Sequence, residues 1–331
     1  RQLERYAGLK GRGAFLPFLG SGRGNGALVE LVDGSVKWDM ITGIGVHGFG
    51  HCEPELTAIA MRAAMGDTVM QGNLQCNQDV IDFSATLLGA VESDTNLRHA
   101  FLTNSGAMAN ESALKVCFQK CEPASRVIAF EHCFMGRSTA LSQIGDSAGG
   151  RSGIPLNMLV DYLPFYDAAD PEGSTARTMA QLETYITRYP KQHACFVFEP
   201  VQGEGGFNTT PPAFLRAIIE RCREAGIAIW ADEVQTFGRT EALLHVIQLG
   251  IGHLVDVVTI GKMSQVCACL YSEAFNPRPG LLSGTFIGST VGLAVGRRIV
   301  ERLMEDGYYG VDGRNATLQA AFREQLSLIH I

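Results

Sequence analysis

Two residues near the middle of the chain could share one reaction. Asp232 closes the apolar run Ile227-Ala228-Ile229-Trp230-Ala231, and Lys262 follows a second run, Val255-Asp256-Val257-Val258-Thr259-Ile260, after Gly261. Both runs are rich in β-branched residues, and the helix-length segment Glu241 to Leu249 lies between them. That alternation predicts two parallel strands of an α/β sheet joined by a crossover helix. A carboxylate and an amine would then stand at the C-terminal ends of strands, the edge at which open α/β sheets bind ligands. A lysine amine can form a Schiff base with an aldehyde, and a carboxylate can hold the proton of a ring nitrogen. Taken alone, the same residues also fit a helix-capping acid pair, Asp232-Glu233, and a solvated loop lysine.

Pyridoxal phosphate (PLP) is the aldehyde cofactor that would use both groups, because its pyridinium ring acts as an electron sink only while its nitrogen stays protonated. Such a cofactor needs a phosphate site. Asn104-Ser105-Gly106-Ala107 breaks a predicted strand (His99 to Thr103) and opens a predicted helix from about Met108 to Gln119. Ser105 suits the N-cap, and unpaired amides at a helix N-terminus attract phosphate by donors and dipole together. An ordinary capped helix explains that segment equally well. After the predicted strand Arg126 to Glu131, Phe134 could stack on a flat ring and Arg137 could clamp a carboxylate bidentately. A core phenylalanine and a surface arginine are the plain alternatives.

The elements that must position these groups can be read along the chain. The first 25 residues are glycine-studded and expected to be extended. Ala27 to Asp33 and Val36 to Ile41 read as a hairpin turning at Asp33-Gly34. Helices are predicted over Glu55 to Gly66, Asn77 to Leu88, Met179 to Tyr189, Pro211 to Ala225, Val291 to Met304 and Ala316 to Gln325. Further strands are predicted over Met158 to Leu163, His193 to Phe198 and Ser264 to Ser272, and Asp146 to Gly153 reads as a mobile Gly/Ser-rich loop. Gly43-Ile44-Gly45-Val46-His47-Gly48 contains a formal G-x-G-x-x-G, the mark of a nicotinamide-dependent oxidoreductase. His51-Cys52-Glu53-Pro54 follows at once, so these glycines do not open a helix as that fingerprint requires.

Composition sets the bounds. With 331 residues, 46% hydrophobic and 18% charged, the chain is large enough for one big domain plus a smaller one. A net charge of −7 argues against a nucleic-acid or anionic-membrane surface. No run reaches membrane-span length, and no apolar signal-peptide core opens the chain. Nine scattered cysteines support neither a disulfide framework nor a zinc site, so no metal is expected and a cytoplasmic location is. The start on Arg1 and the stop soon after the last predicted helix read as a piece of a longer protein.

Together the strand-end residues resemble the class III aminotransferases of PLP fold type I, the group that includes ornithine, acetylornithine and 4-aminobutyrate aminotransferases. The resemblance runs over roughly residues 15 to 310. It implies a large α/β domain with a mainly parallel seven-stranded sheet flanked by helices. Residues 1–50 would form an N-terminal segment shared with the small domain and a dimer interface, 51–295 the PLP-binding domain, and 296–331 the start of a truncated small domain. By resemblance, Gly106 and Ala107 donate amides to the phosphate beside Ser105, Phe134 stacks on the ring and Arg137 grips a substrate carboxylate. Glu204, in Glu199-Pro200-Val201-Gln202-Gly203-Glu204-Gly205-Gly206, gates that arginine or the specificity pocket. Asp232 partners the ring nitrogen, Val234 packs under the ring, Gln235 lies near its phenolic oxygen and Lys262 bears the Schiff base. Thr285 reaches the phosphate bound by the neighbouring subunit, which implies a homodimer with shared active sites.

The implied reaction moves an amino group from an amino acid, an ω-amino acid such as acetylornithine, ornithine or 4-aminobutyrate, to a 2-oxo acid such as 2-oxoglutarate. An aminomutase or a decarboxylating transaminase of the same fold would use the same residues. Four departures from the family pattern bear on the pocket. Met135 stands where histidine is usual, and Met108 where an acid is usual. The Val234-Gln235-Thr236-Phe237-Gly238-Arg239 segment is one glycine shorter than the common form. Met263-Ser264-Gln265-Val266-Cys267-Ala268 replaces a glycine-rich continuation after the lysine.

Overall fold

A computed structural model of the chain describes residues 1–13, 18–66 and 76–327. Its centre is a seven-stranded sheet made of β4 (Leu97–Thr103), β5 (Arg126–Phe130), β6 (Leu159–Leu163), β7 (His193–Phe198), β8 (Ala228–Asp232), β9 (Val257–Ile260) and β10 (Cys267–Ser272), in the order β4-β10-β9-β8-β7-β5-β6. Five of these run parallel as neighbours, from β9 through β6, while β10 lies antiparallel between β4 and β9. Cys267 faces Thr103 and Ala268 faces Ile260, so the C-terminal ends of β4 and β9 share an edge with those of β5, β7 and β8.

Strand alternation sorts the core into two layers, because successive side chains point to opposite faces. Phe196, Phe198, Ile229, Ala231, Val258 and Ile260 belong to one layer. Cys195, Val197, Ala228, Trp230 and Val257 belong to the other, where α5 (Gly106–Lys120) packs Ala113, Leu114, Val116 and Cys117 against them. Both faces are covered, which is why the strands read as continuous apolar runs.

Around the sheet lie α6 (Thr139–Ile144), α7 (Pro171–Arg188), α8 (Pro212–Glu224) and α9 (His245–Gln248), with α10 (Thr290–Glu305) packed on α3 (Pro54–Ala64) and α4 (Gln78–Gly89). Ion pairs Arg302–Glu53, Arg298–Glu55 and Arg297–Asp82 tie α10 to those two helices. Ahead of them come α1 (Gln2–Lys10), a separate three-stranded sheet of β1 (Gly20–Asn25), β2 (Leu28–Leu31) and β3 (Val36–Trp38), and the irregular single turn α2 (Thr42–Gly45). Helix α11 (Arg314–Ser327) closes the described chain.

Three expectations need correction. The first residues are not extended: Gln2–Lys10 is helical, because its Leu, Glu, Arg and Lys favour a helix that tolerates Gly8 and ends at the αL C-cap Gly11. The crossover helix between β8 and β9 shrinks to His245–Gln248 followed by a 3-10 turn, Gly252–Leu254. Its start is set by the buried Glu233, whose Oε1 accepts from the Val246 amide at 2.7 Å. Helix α7 begins at Pro171 rather than Met179, because Asp170 caps it through the Gly173 amide and Pro171 fills the first turn. The glycines of the formal G-x-G-x-x-G serve packing. A Cβ on Gly45 would meet Arg239 Nη1 at 2.3 Å, and one on Gly48 would meet Met263 Sδ at 2.2 Å.

Candidate active site

Parity along the strands places the acids. Asp232 follows Ala228 and Trp230 on the α5 face of β8, and Glu199 follows Cys195 and Val197 on the same face, just past β7. Extended alternation would send Lys262 with Ile260 to the opposite layer. Instead the backbone turns at Lys262 into the left-handed region (φ 53), and a 3-10 turn, Lys262–Ser264, begins there. A non-glycine residue held at positive φ costs energy and marks a site where the surroundings impose the conformation. The turn brings Lys262 into one cleft with Asp232. The cleft is also lined by Gly106, Ala107, Asn110, Phe134, Arg137, Glu199, Glu204, Val234 and Gln235.

Asp232 is buried, 5% exposed, and forms no ion pair among the described residues. Its Oδ1 accepts from the Val234 amide at 2.9 Å and its Oδ2 from Asn110 Nδ2 at 2.7 Å. Burial pushes its carboxyl up to about 6, against the pull of these hydrogen bonds and of Lys262. Glu199 accepts from the Phe134 amide at 2.9 Å and the Gly203 amide at 3.4 Å. Burial, with the neighbouring Asp232 adding to it, pushes Glu199 up to about 8. Glu199 thereby joins the Phe134 loop to the loop that carries Glu204.

Ser105 caps α5: its Oγ accepts from the Met108 amide at 3.2 Å. The first-turn amides of Gly106 and Ala107 have no acceptor within the helix, and both residues line the cleft. Gly106 sits so close to Val234 that a Cβ there would lie 2.8 Å from Val234 Cγ1. Arg137 is exposed, its guanidinium 5.5 Å from the Phe134 ring centre, and it forms no salt bridge among the described residues.

These residues suit PLP on their own chemistry. A buried carboxylate without a cation invites the protonated ring nitrogen. A glycine-opened helix N-terminus invites the phosphate dianion. A half-buried lysine held by a strained turn, its amine without a hydrogen bond or ion pair among the described residues, is available to the aldehyde.

Of the residues the sequence singled out, Gly106, Ala107, Phe134, Arg137, Glu204, Asp232, Val234, Gln235 and Lys262 all line this cleft. Ser105 stands behind it as a cap. Thr285 is exposed and lies outside the cleft lining. Sequence reasoning missed Asn110, which lines the cleft and is 2% exposed. Its signal was present: Asn110 follows Gly106 by four residues, hence on the same helix face. No role was given to Glu199 beyond its motif, although strand parity puts it beside Asp232.

A sheet with five neighbouring parallel strands, delivering a lysine and a buried carboxylate to the N-terminus of one helix, is the architecture of a PLP-dependent transferase. Residues 12–330 match the family Aminotransferase class-III. An acetylornithine aminotransferase of Myxococcus xanthus is 31% identical over 316 residues, 91% of this chain and 74% of that one. A 2-aminoadipate transaminase of Pseudomonas putida is 32% identical over 287 residues, 82% of this chain and 67% of that one. The first three curated relatives extend beyond the match, which spans 56% to 74% of their own lengths. Among solved structures, the lysine aminotransferase of M. tuberculosis superposes with a TM-score of 0.82 at 24% identity, covering 92% of this chain and 78% of that one. The chain belongs to the class-III aminotransferases, a family of PLP-dependent transaminases. No described helix is long and apolar enough to cross a membrane.

Proposed function

We propose that the protein transfers an amino group from a carboxylate-bearing ω-amino acid, of the acetylornithine, ornithine or 4-aminobutyrate kind, to a 2-oxo acid such as 2-oxoglutarate. The observation that carries this reading is the meeting of Lys262, Asp232 and the first turn of α5 in one cleft, with Arg137 and Glu204 at its exposed side. Relatives named for acetylornithine and 2-aminoadipate support a donor or acceptor with a carboxylate remote from the reacting amine.

When bound, PLP supplies an electrophilic aldehyde and an electron-withdrawing ring. The chain supplies the rest. Gly106 and Ala107 amides, backed by the α5 dipole, hold the phosphate beside the Ser105 cap. Phe134 and Val234 would pack against the ring, and Gln235 would lie near its phenolic oxygen. Asp232 keeps the ring nitrogen protonated. Lys262 Nζ would hold the aldehyde and would be the base and acid that moves a proton at the donor carbon. Arg137 pairs with the remote carboxylate, and Glu204 competes for Arg137 when that carboxylate is absent.

The working form proposed is a cytoplasmic homodimer, in which Thr285 reaches the phosphate in the neighbouring subunit. Its division is that of the sequence: an N-terminal segment over 1–50, a PLP-binding domain over 51–295 and the start of a small domain over 296–331. Exposed Trp38, Met40 and Phe286 support burial of both ends of that arrangement against another subunit.

Borohydride reduction of the PLP-treated protein, followed by peptide mapping, tests the anchor. A stable adduct on Lys262 is expected, and transamination by Lys262→Ala is expected to fall at least about a hundredfold, the lower end of what a positioned acid–base group contributes. An adduct elsewhere, or full activity in that variant, would overturn the reading.

A further inference from the structure

We propose that Asn110 is a positioning residue: its amide fixes the plane of the Asp232 carboxylate and supports its negative charge at the ring nitrogen. The inference rests on the PLP reading above. Asn110 is 2% exposed, and its Nδ2 donates two hydrogen bonds of 2.7 Å, one to Asp232 Oδ2 and one to the Met135 carbonyl. Its Oδ1 is buried with no partner among the described residues. Turning the amide over would set an oxygen against two acceptors, so the donor face is fixed by its surroundings.

The contacts that the fold shows for this side chain are all made by its donor side. What the residue does is donate. Asp232 Oδ1 is already tied to the Val234 amide. The second tie, from Asn110, leaves the carboxylate no rotation, and its remaining lone pairs stay available to the cleft. Asn110 also stands one helical turn beyond Gly106, about 6 Å along the axis. A single rigid helix therefore presents amides to the phosphate and fixes the carboxylate that meets the ring nitrogen at the far side. Through the Met135 carbonyl, the same amide holds the loop that carries Phe134 and Arg137.

The charged and titratable groups around Asp232 come from every neighbouring strand. They are Glu199 after β7, Glu233 at the end of β8, Lys262 after β9 and Cys267 on β10. Glu199 and Glu233 oppose a charge on Asp232 and Lys262 favours it. Asn110 is the neutral side-chain donor that, with the Val234 amide, favours the anion against the burial that opposes it.

The test uses the protein with PLP and two variants, Asn110→Ala and Asn110→Asp, the second keeping size but replacing the donor with another acid. PLP affinity is titrated across pH, each complex is reduced with borohydride and mapped, and melting is followed without PLP. The wild type is expected to trap PLP on Lys262. Asn110→Ala should bind PLP at least about tenfold more weakly, the worth of one hydrogen bond to a charged group. The acid limb of its affinity should move to higher pH, while its melting temperature stays within a few degrees. Asn110→Asp should bind more weakly still, and it decides the matter if Asn110→Ala does not fold. Wild-type affinity and acid limb in both variants, with PLP still trapped on Lys262, would overturn the role of Asn110. So would a loss of affinity and melting temperature together with an unmoved acid limb. Absence of the Lys262 adduct in the wild type would instead overturn the function proposed above.

Discussion

At the scale of single residues, the site was legible wherever chemistry coincides with a strand end. Asp232 and Lys262 each follow an apolar run, so strand polarity brings both to one sheet edge, while the left-handed turn that swings Lys262 to the face of Asp232 has no signal in the sequence. Arg137 was legible only as a candidate, because an exposed arginine is common. The structure adds that it has no salt bridge among the described residues and borders the cleft beside Glu204. A guanidinium left unpaired at the mouth of a cleft is suited to a bidentate carboxylate. Replacing Arg137 with Ala should therefore raise KM for carboxylate-bearing donors by at least about tenfold, one charge-assisted hydrogen bond's worth. Activity toward a simple amine lacking that carboxylate should change little. Equal loss on both donor types in steady-state kinetics would place Arg137 in the fold rather than in recognition. Helix spacing and strand parity mark the faces that Asn110 and Glu199 occupy, but not their roles, because the bonds that give them one reach partners 122 and 65 residues away.

At the scale of elements, what decided success was whether the local sequence carried its own boundary signal. Helix α5 was read with its cap because Ser105 directly precedes Gly106. Helix α9 was over-read because its true start is set by Glu233, a buried side chain thirteen residues upstream of Val246. Helix α7 was under-read because Asp170-Pro171-Glu172-Gly173 resembles a turn until the Asp170 cap is seen. The α5 cap also makes a quantitative prediction. Ser105 Oγ satisfies the Met108 amide, and Met108 is itself exposed. Ser105→Ala should destabilise the protein by about 1 kcal/mol, the usual cost of losing such a cap. Urea denaturation should show a lower midpoint with an unchanged slope. An unchanged midpoint would mean that the packing of α5 against the sheet sets its start without help from the cap.

At the scale of the whole molecule, the mainly parallel sheet was legible because both its faces are buried, while the place of β10 was not. The short link from Ile260 to Cys267 is too brief for a parallel crossover and requires an antiparallel return, but nothing in Cys267–Ser272 sets that strand between β4 and β9. The price of gathering acids at one sheet edge should appear in the stability of the cofactor-free protein. Asp232 is held at about 6 against an ordinary 3.8, and Glu199 at about 8 against 4.5, both chiefly by burial. In the folded state these groups hold protons that the unfolded chain releases, so their contribution is full below the ordinary values. It is lost as pH rises through the folded ones. Asp161 acts in the opposite sense. Burial alone would raise it, but hydrogen bonds from His193 and Arg126 outweigh that and hold it at about 2, so its stabilisation is lost only in strong acid. The melting temperature of the cofactor-free protein should therefore be highest near pH 4 to 5 and decline toward pH 8. Saturating PLP brings a cationic ring nitrogen to Asp232 and favours the charged carboxylate, so the gain in melting temperature on adding PLP should be larger at pH 7 than at pH 5. Calorimetry at both pH values, with and without PLP, reads this directly. A gain that is equal at the two values would mean that Asp232 is already charged in the empty site and that the cation adds nothing the cleft lacks.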